Sequence, residues 1–296
     1  MERPRRLSRC LIVVGLGLAV GTLYYCGDQR RAVPAAVGTT LAGVAHAPRA
    51  ARTTLRVATF NIHGGVGPDR RCDLERTASA LPNDLDLVLL NEVHGPYFWQ
   101  SAGQAQRLGE LTGKGWLFAP TEQRWWHHEF GNAVLATADV AWWQRVTLPG
   151  HSRGYRNVVL MEIAYGGGTA RVVATHLDRN DPAARGMQLE AAIDLFLALA
   201  EPVIFMGDLN TTADEKRLAD LLSRRDVGDP LHDALRDGTP RHIDWILTRG
   251  LTTIDAGMVD NGASDHPLVW AELVPKDVYD AAPRREAQTE PATKRR

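Results

Sequence analysis

Apolar runs in this chain repeatedly end on residues that can do chemistry. Val57-Ala58-Thr59-Phe60 leads into Asn61, and Leu87-Val88-Leu89-Leu90-Asn91 into Glu92. Val172-Val173-Ala174-Thr175 leads into His176; Ile204-Phe205-Met206-Gly207 leads into Asp208 and then Asn210. Asp244 sits inside His242–Ile246, and Asp265-His266 stands just before Pro267-Leu268-Val269-Trp270. Short aliphatic and β-branched runs read as strands, several of them buried on both faces. Taken singly, each polar residue has an ordinary reading: Asn61 a turn cap, Glu92 a loop charge, His176 a core histidine, Gly207–Asn210 a turn, Asp265 a helix cap. Their recurrence at successive strand ends is the constraint. A sheet holds its strand ends rigidly while loops admit substrate, so such a set converges on one site.

The periodicity predicts strands over Leu55–Asn61, Asp86–Val93, Gly131–Ala136, Val158–Tyr165, Ala170–His176, Val203–Met206, Ile243–Leu247 and Leu268–Leu273. Gly166-Gly167-Gly168 reads as a hairpin turn. Helices are expected over Asp73–Leu81, Gln100–Leu111 and Pro182–Ala200, the last with an apolar stripe of Leu189, Ile193, Phe196 and Ala200. Thr212 with Glu215 reads as a capping box for a helix over Thr212–Ser223. Strands outnumber helices and some helices lie between strands, which implies a mixed α/β fold in one domain over 55–275.

The flanks differ in kind. Arg3, Arg5, Arg6 and Arg9 precede an uncharged apolar run, Cys10–Cys26. This pattern is that of a membrane anchor or an export signal. Positive charge before the run places the N-terminus in the cytoplasm and the rest outside. An uncleaved anchor in the cell membrane is the favoured reading and a cleaved signal, hence secretion, the alternative. Residues 27–54, rich in Ala, Gly, Pro and Arg, read as a linker, and 276–296 as a disordered tail. Three cysteines, Cys10, Cys26 and Cys72, are too few for a disulfide framework.

Hydrophobic residues make up 44% of the 296 positions and charged residues 23%, which excludes a wholly disordered or polytopic membrane chain. The net charge of −1 hides an acidic body: 55–275 holds 20 basic and 29 acidic side chains. Such a body disfavours a broad basic grip on nucleic acid. It remains compatible with approach to phosphate through a divalent cation, which reverses the local field. Oxygen ligands without cysteine suit Mg2+, Mn2+ or Ca2+, and histidines beside them suit proton transfer. Together they suit hydrolysis of a phosphate ester by activated water.

The segments Thr59-Phe60-Asn61, Leu90-Asn91-Glu92-Val93, Gly131-Asn132-Ala133-Val134-Leu135, Thr175-His176-Leu177, Gly207-Asp208-Leu209-Asn210, Ile243-Asp244-Trp245-Ile246 and Ser264-Asp265-His266-Pro267 occur in order across 55–275. As a set they resemble the endonuclease/exonuclease/phosphatase superfamily, which includes deoxyribonuclease I-like nucleases and neutral sphingomyelinases. The resemblance implies a four-layer α-β-β-α sandwich, two packed and mostly antiparallel sheets with helices outside. It implies a metal-dependent hydrolase acting on phosphoric ester bonds. Glu92 then corresponds to the main metal ligand, with Asn61 touching metal or phosphate and Asp265 also reaching the metal. Asp208 corresponds to the residue that orients the attacking water, and Asn210 to one that stabilises the transition state. His266 corresponds to the general base, held by Asp244, and His176 to a histidine that binds the scissile phosphate or protonates the leaving group. Arg156 stands where several members contact phosphate, and Glu129 is a candidate to orient His176.

The substrate is less defined. Ile243-Asp244-Trp245 replaces the Cys-Asp-Arg usual in inositol phosphatases, and His94 stands where deoxyribonuclease I-like enzymes often place arginine. The expected activity is an extracytoplasmic phosphodiesterase acting, as a monomer, on lipid headgroups or small phosphodiesters. The alternatives are an extracytoplasmic nuclease and a catalytically silent, membrane-tethered binding module. Trp125-Trp126-His127-His128 reads as a rim that stacks on a base or dips into a lipid interface, or as tryptophans packed beneath a loop.

Overall fold

Along Leu55–Asn61, Leu55 and Val57 pack to one side and Ala58 and Phe60 to the other, and all four are fully buried. The same double burial holds in Leu87–His94, where Leu87 and Leu89 face the first side and Val88 and Leu90 the second. Such strands lie in the middle of a layered structure. The protein, described from a computed structural model over residues 4–28, 30–43, 52–96, 102–123, 129–150, 154–166, 168–235 and 238–281, is built on two sheets.

In chain order the elements are α1 (Pro4–Asp28), β1 (Arg31–Ala32), β2 (Ala36–Gly38), β3 (Leu55–Asn61), α2 (Leu74–Ser79), β4 (Leu87–His94), α3 (Gln104–Thr112), β5 (Gly115–Gln123), β6 (Phe130–Ala136) and β7 (Asp139–Thr147). There follow β8 (Asn157–Tyr165), β9 (Gly168–His176), α4 (Pro182–Ala198), β10 (Val203–Asp208), α5 (Lys216–Leu222), α6 (Pro230–Leu235), β11 (Asp244–Arg249), β12 (Leu251–Val259), β13 (Leu268–Pro275) and α7 (Lys276–Ala281). One sheet has the order β1-β5-β6-β4-β3-β13-β12 and the other β11-β10-β9-β8-β7-β2. Pairing is antiparallel except between β3 and β4 and between β9 and β10. Leu87, Leu89, Val134, Met161, Val172, Ile204 and Met206 fill the space between the sheets. A second cluster joins the outer face of the first sheet to α2 and α3, and a third joins the second sheet to α4 and α5. The expected four-layer α-β-β-α sandwich is the architecture observed.

Helix starts follow local chemistry. Asp73 caps α2 by accepting from the Arg76 amide, and Asp181 caps α4 by accepting from Ala183 and Ala184, with Pro182 in the first turn. The expected capping box at Thr212 does not form. Glu215 is itself the cap, accepting from the Leu218 amide, while the Thr212 hydroxyl turns to Asp214, so α5 begins at Lys216.

The structure adds elements that the periodicity did not reveal. β5 and β7 carry half-buried tryptophans among polar residues, which blurs their alternation. Residues 27–54, expected as a linker, contribute β1 to the edge of one sheet and β2 to the edge of the other. Residues 30–43 form a strap that closes both sheets along the same side of the sandwich. Of the expected tail, Lys276–Ala281 is helical and the remainder lies outside the described residues. α1 makes no part of the core; Val13, Val14, Leu16, Leu18, Val20 and Leu23 are each between 56% and 68% exposed. Among the described residues no helix is long and apolar enough to cross a membrane, side chains of α1 being described from Val13 onward. Trp125-Trp126-His127-His128 also lies outside the described residues.

Candidate active site

Topology brings the polar strand ends together. β3 and β4 run parallel and end side by side, with Asn61 level with Asn91. β13 runs antiparallel to β3, so the segment before it, Ser264–His266, lies at that same end. In the facing sheet, Asp208 is in register with His176 on one side and with Asp244 on the other. Three neighbouring strands thus deliver three ionisable groups to one level.

The two sheets meet here through polar contacts. Asn61 Nδ2 donates to Glu92 Oε1 at 3.2 Å and to Asp208 Oδ2 at 3.0 Å, and Asn61 Oδ1 accepts from the His63 amide at 3.0 Å. Below it lies a set of buried amides that sequence reasoning gave no role. Asn91 donates to Asn132 Oδ1 at 2.8 Å and to the Thr175 carbonyl at 3.3 Å, and accepts from the Asp208 amide at 3.1 Å. Asn132 in turn donates to Asn157 Oδ1 at 3.2 Å, and Asn157 to the Pro120 carbonyl at 2.9 Å. These contacts stitch sheet to sheet directly beneath the site. The signal was present: each amide adjoins an apolar run, Leu87–Leu90, Ala133–Ala136 or Val158–Met161, where burial is costly unless the group is hydrogen-bonded.

The backbone is bent where the site needs it. Glu92 has φ 57° beside a register shift between Leu90 and Val93, and Asn210 has φ 50°. Left-handed φ in residues other than glycine is uncommon and gathers at functional sites. The turn at Asn210 is pinned by its own amide donating to Asp208 Oδ1 at 2.9 Å and by Nδ2 donating to the Leu177 carbonyl at 3.1 Å.

His266 Nδ1 lies 2.8 Å from Asp244 Oδ2, and its Nε2 lies 4.0 Å from Asp208 Oδ2. Asp244 and Asp208 are 2% and 1% exposed. Burial first, and the mutual repulsion of the two carboxylates second, pushes Asp208 up to about 7; burial also raises Asp244. Burial alone would lower His266, but the hydrogen bond and charge of Asp244, with the charges of Asp208 and Asp265, raise it to about 9. His176 behaves in the opposite way. Burial, and then the positive Arg156 beside it, hold it well below the ordinary histidine range, so it is neutral. Arg156 Nη1 sits 3.3 Å from His176 Nδ1. A guanidinium can only donate, so Nδ1 accepts and the proton resides on Nε2. That Nε2 is buried, lies 3.5 Å from Asp208 Oδ2, and has no hydrogen-bond partner of good geometry.

Asn61, Glu92, Arg156, His176, Asp208, Asn210, Asp244 and His266 therefore gather at one mouth. Asp265 is placed differently: its side chain is 56% exposed and pairs with His63 Nδ1 at 3.5 Å and with Ser264. Asn61 turns its nitrogen, not its oxygen, toward the carboxylates, because the His63 amide holds the oxygen; it is set to donate rather than to ligate a metal. The two ring nitrogens of His176 face Arg156 and Asp208, which leaves no orienting role there for Glu129.

Among the described residues, Asp208, Asp244 and His266 bring one donor atom each within 4.8 Å of one another. Asp244 Oδ1 is buried without a partner. Two buried carboxylates at one level, one with an unpartnered oxygen, fit a hard divalent cation.

The profile of the Endonuclease/Exonuclease/phosphatase family matches residues 58–266. No curated protein matches the chain by sequence. Among solved structures, an endonuclease/exonuclease/phosphatase from Beutenbergia cavernae superposes with TM-score 0.61 at 23% identity, over 76% of this chain and 72% of that one. Another from Bacteroides vulgatus gives 0.60 at 18%, over 76% and 100%. D. rerio TDP2, complexed with a single-strand DNA product, gives 0.59 at 17%, over 75% and 99%.

Proposed function

This chain belongs to the endonuclease/exonuclease/phosphatase family and is a metal-dependent hydrolase of phosphoric esters, and from that premise we propose that it is a phosphodiesterase whose water is activated by the His266–Asp244 pair. The observation that carries the reading is that pair at 2.8 Å, with its far nitrogen turned to Asp208 in a buried, carboxylate-lined cluster. Lipid headgroups and small phosphodiesters are the substrates that suit its acidic body and apolar N-terminal run.

Each residue has a task that its geometry permits. Asp244 takes His266 Nδ1 and leaves Nε2 as the face that accepts a proton from water. Asp208 lies beside that nitrogen and orients the water. His176, neutral and carrying its proton on Nε2, donates to a phosphate oxygen, which suits binding better than acid catalysis. Asn61 adds the amide nitrogen it already turns into the cleft, while Asn210, whose amide nitrogen goes to the Leu177 carbonyl, holds the turn beside Asp208. Arg156 fixes the His176 tautomer. Glu92, Asp208 and the free oxygen of Asp244 would hold the cation, Mg2+ being the proposed ion with Mn2+ and Ca2+ as alternatives. The cation supplies positive charge that neutralises the phosphate oxygens and weakens the hold of these carboxylates on the His266 proton.

The test is hydrolysis of bis-p-nitrophenyl phosphate by the full chain with Mg2+, Mn2+ or Ca2+. We expect turnover that EDTA abolishes and added cation restores. Unaltered turnover in EDTA would sink the reading. A nuclease is the second reading, favoured by the resemblance to TDP2 bound to its DNA product; plasmid nicking with no hydrolysis of the small ester would promote it.

A further inference from the structure

The strap that follows α1 has a direction. β1 pairs with the last residues of β5, Arg31 with Gln123 and Ala32 with Glu122. β5 and β4 are both antiparallel to β6, so the end of β5 lies at the same end of the sandwich as Glu92. From Arg31 the chain descends, through the Ala36–Gly38 pairing with β7, to a bridge between Ala42 and Trp116 near the start of β5. It therefore enters at the same end of the sandwich as the active site, on the edge three strands from β4, and leaves at the opposite end.

The entry point is fastened. Arg30 Nη1 lies 3.5 Å from Glu122 Oε2, and Glu122 is 2% exposed. A Cβ on Gly154, two residues before Arg156, would lie 3.9 Å from the same Arg30 nitrogen. Only three backbone steps separate Asp28, the end of α1, from Arg31, a reach of at most roughly 11 Å. Whatever angle α1 takes to the sandwich, its end is held at the sheet edge on the active-site end, by the loop that leads into Arg156.

α1 itself is suited to one kind of surroundings. Cys10–Cys26 carries no charged side chain, and its described apolar residues are exposed. Seventeen residues make about 26 Å of helix, close to the thickness of a bilayer's hydrocarbon layer. The four arginines before it match anionic headgroups. We propose that the strap clamps the exit of α1 at the active-site end, so that with α1 embedded in a bilayer the cleft faces the headgroups and hydrolyses phosphodiester lipids of that same membrane. Water gives its hydroxyl to phosphorus, the P–O bond to one alcohol breaks, and the departing oxygen takes a proton, so a diester becomes a monoester and an alcohol. This rests on the phosphodiesterase reading and adds substrate class and orientation to it.

The test uses the full chain reconstituted in vesicles of phosphatidylcholine, phosphatidylglycerol and sphingomyelin. Release of headgroup products is measured from the protein's own vesicles and from separate protein-free ones. A second protein carries a 30-residue Gly/Ser spacer after Asp28, which leaves α1 and the catalytic domain intact. We expect the wild type to cleave lipid in its own vesicles at least tenfold faster than in separate ones, an effective-concentration advantage. The spacer should remove most of that advantage and leave turnover of bis-p-nitrophenyl phosphate unchanged. An advantage undiminished by the spacer would overturn the clamp. Hydrolysis of the soluble ester with no lipid cleaved in its own vesicles would overturn the inference but not the phosphodiesterase. Failure of the protein to float with vesicles, as when α1 pairs with a second copy instead, would overturn the bilayer as its partner. Loss of both activities would count against the phosphodiesterase reading itself.

Discussion

At the scale of single residues, the site works by holding two histidines in opposite states. His266 is flanked by carboxylates and His176 by a guanidinium. Replacing His266 with Ala removes the proposed proton acceptor, and kcat should fall by roughly 10²–10⁴-fold with an unchanged circular dichroism spectrum. Near-normal kcat would remove it from the role of base. Asp208 offers a test without substrate. Its carboxyl titrates near 7 in the folded protein against an ordinary value of 3.8, so the folded state binds a proton that the unfolded chain has released. Stability without metal is therefore lost as pH rises from about 4 to 7. Asp208→Asn should raise the melting temperature in EDTA at pH 8, and the gain should shrink as pH falls toward 4. A gain independent of pH would contradict this charge assignment. The strand-end pattern made most of these residues legible in the sequence. Asp265 was not separable from its neighbour His266 by pattern, because which of two adjacent side chains turns inward depends on the loop, here fixed by Ser264 and His63.

At the scale of elements, β9, β10 and β11 act as one unit, and their register aligns His176, Asp208 and Asp244. Gly207 makes that alignment possible. Its φ is 144°, and a Cβ there would lie 1.8 Å from the Thr175 carbonyl oxygen. Because the obstacle is backbone, no side-chain adjustment relieves it, and Gly207→Ala should destabilise by about 3 kcal/mol or more, read from urea denaturation. A change under 1 kcal/mol would mean that the strand spacing is looser than described. Strands buried on both faces, such as β3, β4 and β10, were readable as continuous apolar runs. β5, β7 and β12 were not, since these strands toward the sheet edges mix apolar and polar residues, with tryptophan in β5 and β7, and lose a clear period. The short β1 and β2 owe their form to partners far along the chain, which local sequence does not encode.

At the scale of the whole molecule, the strap covers the outer strands of both sheets, β5 and β7. Bare edges invite pairing with other chains. A protein beginning at residue 52 should melt lower than one beginning at residue 29 and aggregate more readily, by differential scanning fluorimetry and light scattering. Equal behaviour would reduce the strap to a passive connection. The family and the layered fold were legible because motif order survives even where sequence identity to solved structures is 23% or less. The path of the chain before residue 55 was not, because it depends on edges that exist only once the sandwich has formed.

The buried amides Asn91, Asn132 and Asn157, with Asn61 above them, tie one half of the sandwich to the other at the level where catalysis occurs. A slip of either half by a single residue would unmake these ties and separate Asn61 and Glu92 from Asp208. An intermediate with both halves formed but badly mated would thus be inert. Activity and correct mating of the two sheets are therefore one property of this fold, because the same amides carry both.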